Sequence, residues 1–107
     1  VDDLDSILER AQAKGVDMTQ WGPADFSFSM GDPGLQRSPE IRVYEEKVIA
    51  KSLEYGIHPR IEIGAVEQAK RYMDLGVRHF CLGWDRFILR QQLSQLGSDM
   101  RKLTDSL

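Results

Sequence analysis

The chain has 107 residues, of which 41% are hydrophobic and 29% charged, with a formal net charge of −3. That composition suits one ordinary globular core. It carries no basic stripe of the kind nucleic acid requires and no apolar run near the roughly 20 residues that span a bilayer. No secretory leader pattern opens it, and a single cysteine, Cys81, excludes an internal disulfide framework. A reducing, cytoplasmic setting is therefore expected. The chain opens on Val1 and passes at once into helical pattern, which reads as a cut piece of a longer protein.

Leu4, Ile7, Leu8 and Ala11 form the stripe of a first helix ending before Gly15. Three short runs are then framed by glycines: VDMTQW between Gly15 and Gly22, IHPRIEI between Gly56 and Gly64, and VRHFCL between Gly76 and Gly83. Each follows a helical segment, where glycine relieves the left-handed position past a helix end. Ser38-Pro39-Glu40 is a strong helix start. The helix it opens is expected to turn Ile41, Tyr44, Val48 and Leu53 to the core and to stop at Gly56. A shorter helix near 65–75 is expected to bury Val66, Ala69 and Tyr72 or Met73. The last helix covers about 86–107, with Gly97 as a candidate bend.

The order is α-β-α-β-α-β-α, and such alternation implies parallel strands with right-handed crossovers. The strands are unusually polar, with Asp17, Thr19, His58, Arg60, Glu62, Arg78 and His79. A sheet covered on both faces would be nearly continuous in apolar residues. In the second strand Ile57, Ile61 and Ile63 alternate with His58, Arg60 and Glu62, so one face meets helices and the other looks inward. This favours a C-terminal fragment of a (β/α)8 TIM barrel, with residues 1–107 as one partial domain. Pro59 is an irregularity there, because proline cannot donate to a central ladder.

The stretch WGPADFSFSMGDPG, residues 21–34, follows the first strand and so sits at the C-terminal mouth, where barrel enzymes place their chemistry. Asp25 is positioned to head a short helix at 26–30. Free N–H groups there suit an anion such as a carboxylate, and an aspartate suits a hard divalent cation. The plainer alternative is that Asp25 only caps the helix.

GPADFSFSMGDPG resembles the GPADLS-x-S-x-G-x-PG signature of the metal-dependent class II pyruvate aldolases in the 4-hydroxy-2-oxoheptanedioate aldolase and citrate lyase family. GVDMTQW before it and the later GWD with a leucine-rich helix are also similar, so the resemblance covers essentially the whole chain. It implies that Asp25 binds Mg²⁺, Mn²⁺ or Co²⁺, and that the amides of Ala24 and Asp25 hold the pyruvate carboxylate. It implies reversible cleavage of a 4-hydroxy-2-oxo acid to pyruvate and an aldehyde, through an enolate stabilised by the metal. The family's second metal carboxylate, its catalytic histidine with an aspartate partner, and its arginine have no counterpart here. No catalytic residue is therefore assigned, and this segment alone is expected to be inactive.

Trp21 and Trp84 are candidate pocket walls, with core packing an equal reading. Glu62 and Asp85 also fall near strand ends, where ion pairing or capping is the commoner role. His58 and His79 lack metalloprotease-type spacing and are read as buried or half-buried structural residues, and Cys81 as a small core residue. Leu89, Leu93, Leu96, Met100, Leu103 and Leu107 recur at spacings of four and three, a seam suited to a second subunit. Alternative functions are a citryl-lyase or phosphoenolpyruvate-type lyase on the same barrel, or a non-catalytic α/β domain that oligomerises through its last helix.

Overall fold

The computed structural model describes residues 1–107. Five α-helices and three strands alternate along the chain: α1 (Leu4–Ala13), β1 (Met18–Gln20), α2 (Pro23–Ser29), α3 (Pro39–Glu54), β2 (His58–Ile63), α4 (Ala69–Asp74), β3 (His79–Leu82) and α5 (Asp85–Asp105). Short 3-10 turns precede α3 (Pro33–Arg37) and α4 (Val66–Gln68). Two helices thus connect β1 to β2, the short one expected after the first strand and the long one opened by Ser38-Pro39. The segment expected as one helix at 65–75 divides into a 3-10 turn and a six-residue α-helix.

The strands form one parallel sheet in the order β1-β2-β3. Thr19 lies opposite Pro59, and Arg60 and Ile63 lie opposite His79 and Leu82. The register accounts for Pro59. The His58 amide donates to the Asp17 carbonyl, so residue 58 bonds towards β1, while the Ile63 carbonyl accepts from Gly83 on the β3 side. Alternate residues of a parallel strand bond to alternate neighbours. Pro59 therefore turns its nitrogen towards β3, one residue before that pairing begins at Arg60, and no ladder bond is lost.

Ile57, Ile61 and Ile63 are buried against the helices, whereas His58 and Glu62 are exposed and Arg60 half-buried on the other face. This is the two-faced pattern the polar strands implied. The main core joins Trp21, Ile41, Ile49, Ile61, Ile63 and Val77, and a second cluster joins Leu4, Leu8 and Ile57. Each such side chain contributes about 1.5–3 kcal/mol by leaving water. Gly15, Gly56 and Gly76 close α1, α3 and α4 with positive φ of 72°, 71° and 96°, as their positions after helices required.

The helix stripes fall slightly off the expected ones. In α3 the Ser38 hydroxyl caps the Ile41 amide at 3.3 Å, with Pro39 at the first helical position. The buried residues are Ile41, Glu45, Ile49 and Ser52; Tyr44 and Val48 flank them, and Leu53 is exposed. Ile7, Val66 and Met73 are also exposed rather than buried. Two polar residues occupy the α3 stripe because each finds a partner. Ser52 donates to the Val48 carbonyl at 2.7 Å and shares a hydrogen bond with Thr19 at 2.9 Å. The Glu45 carboxylate accepts from the Tyr72 hydroxyl at 3.2 Å, and burial raises its pKa above the usual carboxylate range.

α5 contrasts with all of this. It runs unbroken through Gly97 from Asp85 to Asp105, and it buries no residue. At 1.5 Å per residue it is about 32 Å long, and the molecule is correspondingly elongated, 66 × 30 × 23 Å. Leu89, Leu93, Leu96, Met100 and Leu103 are each about 60% or more exposed.

Candidate functional site

The WGPAD segment turns from the sheet into α2. The helix starts at Pro23 with Gly22 as its N-cap, three residues earlier than the sequence suggested. Asp25 consequently stands third in the first turn and is not the cap. Its carboxylate folds back over Gly22: a β-carbon at that glycine would lie 3.1 Å from Asp25 Oδ2. The glycine leaves the room the carboxylate occupies. Negative charge in a first turn is favourable because the helix N-terminus carries partial positive charge.

Pro23 has no N–H, and the first helical bond runs from the Phe26 amide to the Gly22 carbonyl at 3.0 Å. The amides of Ala24 and Asp25 have no acceptor within the chain, as expected for first-turn donors. Ala24 and Asp25 are both exposed. The turn thus presents two free N–H donors beside one carboxylate on a surface open to solvent.

What holds the turn rigid lies beneath it. Ser27 is fully buried, and its hydroxyl donates to the Ala24 carbonyl at 2.8 Å. That bond fixes the peptide whose other side carries the Asp25 amide. Phe26 packs between Trp21 and Tyr44, with ring centroids 5.0 and 4.9 Å away. Ser27 was not singled out from sequence, although its place three residues after Ala24 is the spacing of a side-chain bond to a preceding carbonyl. Beyond α2, the Asp32 carboxylate accepts from the Gly34 amide at 2.9 Å and organises the following turn.

The two tryptophans part company. Trp21 is buried, 8% exposed, within the main core, and its Nε1 finds no acceptor. Trp84 is half exposed, immediately before α5, with its ring 5.4 Å from that of Phe87. Asp85 opens α5, and its carboxylate accepts from the Arg86 amide at 2.6 Å, a local capping contact. At the end of β2 the Gln68 side chain accepts from the Gly64 and Ala65 amides at 2.8 and 3.2 Å, while Glu62 forms no ion pair. His58 is exposed rather than buried, and Cys81 is half-buried on the open sheet face rather than in the core.

A divalent ion needs several ligands, and the chain brings together no group of three or more His, Cys, Asp or Glu side chains able to hold one. Asp25 supplies one carboxylate. The residues of this segment by themselves do not complete the metal site that the motif implies, and no reaction step is derived through one.

No family model matches the chain. Over 95 residues, 89% of its length, it is 35% identical to the 4-hydroxy-2-oxo-heptane-1,7-dioate aldolase of Escherichia coli. The chain spans about a third of the length of the curated relatives it matches. Among solved structures, the citrate synthase SbnG superposes with a TM-score of 0.84 at 26% identity, over 96% of this chain and 42% of that one. An HpcH/HpaI aldolase/citrate lyase family protein from Burkholderia cenocepacia superposes at 0.77 with 28% identity, over 92% of this chain and 38% of that one. The chain therefore has the mixed α/β fold of an aldolase-type segment, with a small parallel sheet and five helices. It is related to the HpcH/HpaI aldolase and citrate lyase family.

Proposed function

We propose that residues 1–107 are the C-terminal part of a (β/α)8 barrel, forming one partial domain that contributes a 2-oxo-acid-binding turn to a carbon–carbon lyase. The reaction is reversible aldol cleavage of a 4-hydroxy-2-oxo acid to pyruvate and an aldehyde. The observation that carries this reading is the exposed pair of unpartnered amides at Ala24 and Asp25, beside the Asp25 carboxylate, at the end of β1. Free N–H groups at a helix start favour a carboxylate. The two amides hold the substrate's carboxylate, Asp25 donates one oxygen ligand to a divalent ion (Mg²⁺, Mn²⁺ or Co²⁺), and Ser27 keeps the turn in place. Such an ion supplies Lewis-acid polarisation when bound; its other ligands and the acid/base groups come from outside this segment. Trp84, exposed at the end of β3, is the better candidate for a pocket wall, and Trp21 supports the turn from below.

A titration of ¹⁵N-labelled chain with pyruvate and Mg²⁺ tests the reading. The Ala24 and Asp25 amide resonances should move first and farthest. Shifts confined to other surfaces, or none at millimolar pyruvate, would count against it.

The likeness to a citrate synthase favours a second reading, in which the same turn serves citryl-type carbon–carbon chemistry. Citrate outcompeting pyruvate for the Ala24–Asp25 amides would support it. In either case the exposed α5 seam is proposed to pack on another subunit of a cytoplasmic homo-oligomer.

A further inference from the structure

A pair of hydroxyls grips β1 from behind, on the face that meets the helices. Thr19 is half-buried between exposed Met18 and Gln20, so its side chain turns to the helix layer. There its hydroxyl lies 2.9 Å from that of Ser52 on α3, a fully buried residue. The layer around them is otherwise apolar: Thr19 stands opposite buried Pro59, with Ile57 and Ile61 buried on the same side of β2.

A hydroxyl carries one proton. Ser52 gives its proton to the Val48 carbonyl at 2.7 Å, since a carbonyl only accepts. Thr19 is therefore the donor in the bond between the two hydroxyls. The bonds run one way, from Thr19 to Ser52 to Val48, and tie β1 to α3. The same helix holds the far side of the turn, where the rings of Tyr44 and Phe26 lie 4.9 Å apart. Tyr44 and Ser52 are eight residues apart on α3, about 12 Å along one helix. The turn at 21–25 thus hangs between two points fixed on α3, Thr19 before it and Phe26 after it. All these contacts join β1, α2 and α3 on the helix side of the sheet, so closing a barrel on the other side leaves them intact.

We propose that Thr19 and Ser52 are positioning residues for the 2-oxo-acid-binding turn. The inference rests on the assignment of the Ala24 and Asp25 amides to the substrate's carboxylate. Two N–H donors engage one carboxylate only while both point at it, and such a site must hold its geometry to within about 0.5 Å. Thr19 and Ser52 touch no ligand. They fix where β1 ends along α3, and hence where Gly22 and Pro23 begin α2. Ser27 holds the peptide inside the turn, and the Thr19–Ser52 bond holds the turn to the body.

Titration of the ¹⁵N-labelled 107-residue chain with pyruvate and Mg²⁺ tests this, with Kd read from the Ala24 and Asp25 amides. Thr19→Val keeps the shape of the side chain and removes the donor. It should weaken pyruvate about two- to tenfold, the range expected for one neutral hydrogen bond. Thr19→Ser keeps the hydroxyl and should restore wild-type affinity. Ser52→Ala should lose a similar factor, and the double variant no more than either alone, because the two hydroxyls act as one unit. Leu8→Ala empties a buried site in the other cluster and should lower the urea midpoint while leaving Kd unchanged. Far-UV circular dichroism reports whether each variant is folded. No response in the wild type would sink the reading of the turn, and this inference with it. A wild-type response that Thr19→Val leaves unchanged, or weakens only as much as Leu8→Ala does, would overturn this inference alone.

Discussion

The body of the molecule, from α1 to β3, and the final helix α5 are built on opposite terms. In the body, short strands and helices of modest apolarity place nearly every large buried side chain in one of two clusters. In α5 a more regular apolar repeat buries nothing. Regular spacing therefore does not by itself determine burial. What matters is whether another apolar surface lies opposite. The body finds its partners within 107 residues, and the seam of α5 does not.

The sharpest way to break that contrast is by truncation. Ile49→Ala and Ile61→Ala remove side chains that are 1% and 2% exposed, and each should cost about 2–5 kcal/mol in denaturant unfolding. Leu96→Ala, on the exposed seam, should stay within about 0.5 kcal/mol when measured at monomeric concentration. A comparable loss at Leu96 would mean that the seam is already partnered.

Association comes next. Replacing Met100 and Leu103 with glutamate should lower the sedimentation coefficient towards the monomer value while leaving the body's unfolding unchanged. If the assembly state does not change, α5 is not the contact.

A smaller, opposite effect is expected within the helix. A β-carbon at Gly97 would meet nothing within 4 Å, so Gly97→Ala should raise the helix's stability by about 0.5–1 kcal/mol. Thermal melting followed at 222 nm would detect it.

The smallest effect is in pH dependence. Burial raises the Glu45 carboxyl above its ordinary range. A raised folded-state value favours the native state at low pH, and that contribution is lost as pH rises through it. Glu45→Gln should therefore flatten the decline in stability from acid towards neutral pH. An unchanged slope would assign the decline to other groups.

Much of the body was legible in the chain itself. The glycines after α1, α3 and α4 take positive φ because a helix ended there, and Ser38-Pro39 fixed the start of α3 through local capping. The alternation at 57–63 separated the two sheet faces. Periodicity gave helix stripes only to within one position, so Ile7 and Leu53 were misplaced, and it gave no sign that Glu45 and Ser52 would be buried with partners from β1 and α4. Those partners are distant in sequence, and propensity cannot see them. The sequence put the start of the short helix at 26, three residues too late, because Gly22 proved to be its cap and Pro23 its first residue.

The claim on which the functional reading depends is that Asp25 and its two amides are one portion of an active site and not a whole one. This chain alone should show no aldol cleavage with Mn²⁺. A chimera in which it replaces the matching 35% of the Escherichia coli aldolase offers the most direct measurement, with pyruvate release from a 4-hydroxy-2-oxo acid as the readout. The account expects turnover from the chimera, and a loss of at least about 100-fold, on the order of 2.7 kcal/mol, on Asp25→Ala. A folded chimera that is inactive, or one that turns over equally well with Asp25→Ala, would contradict it.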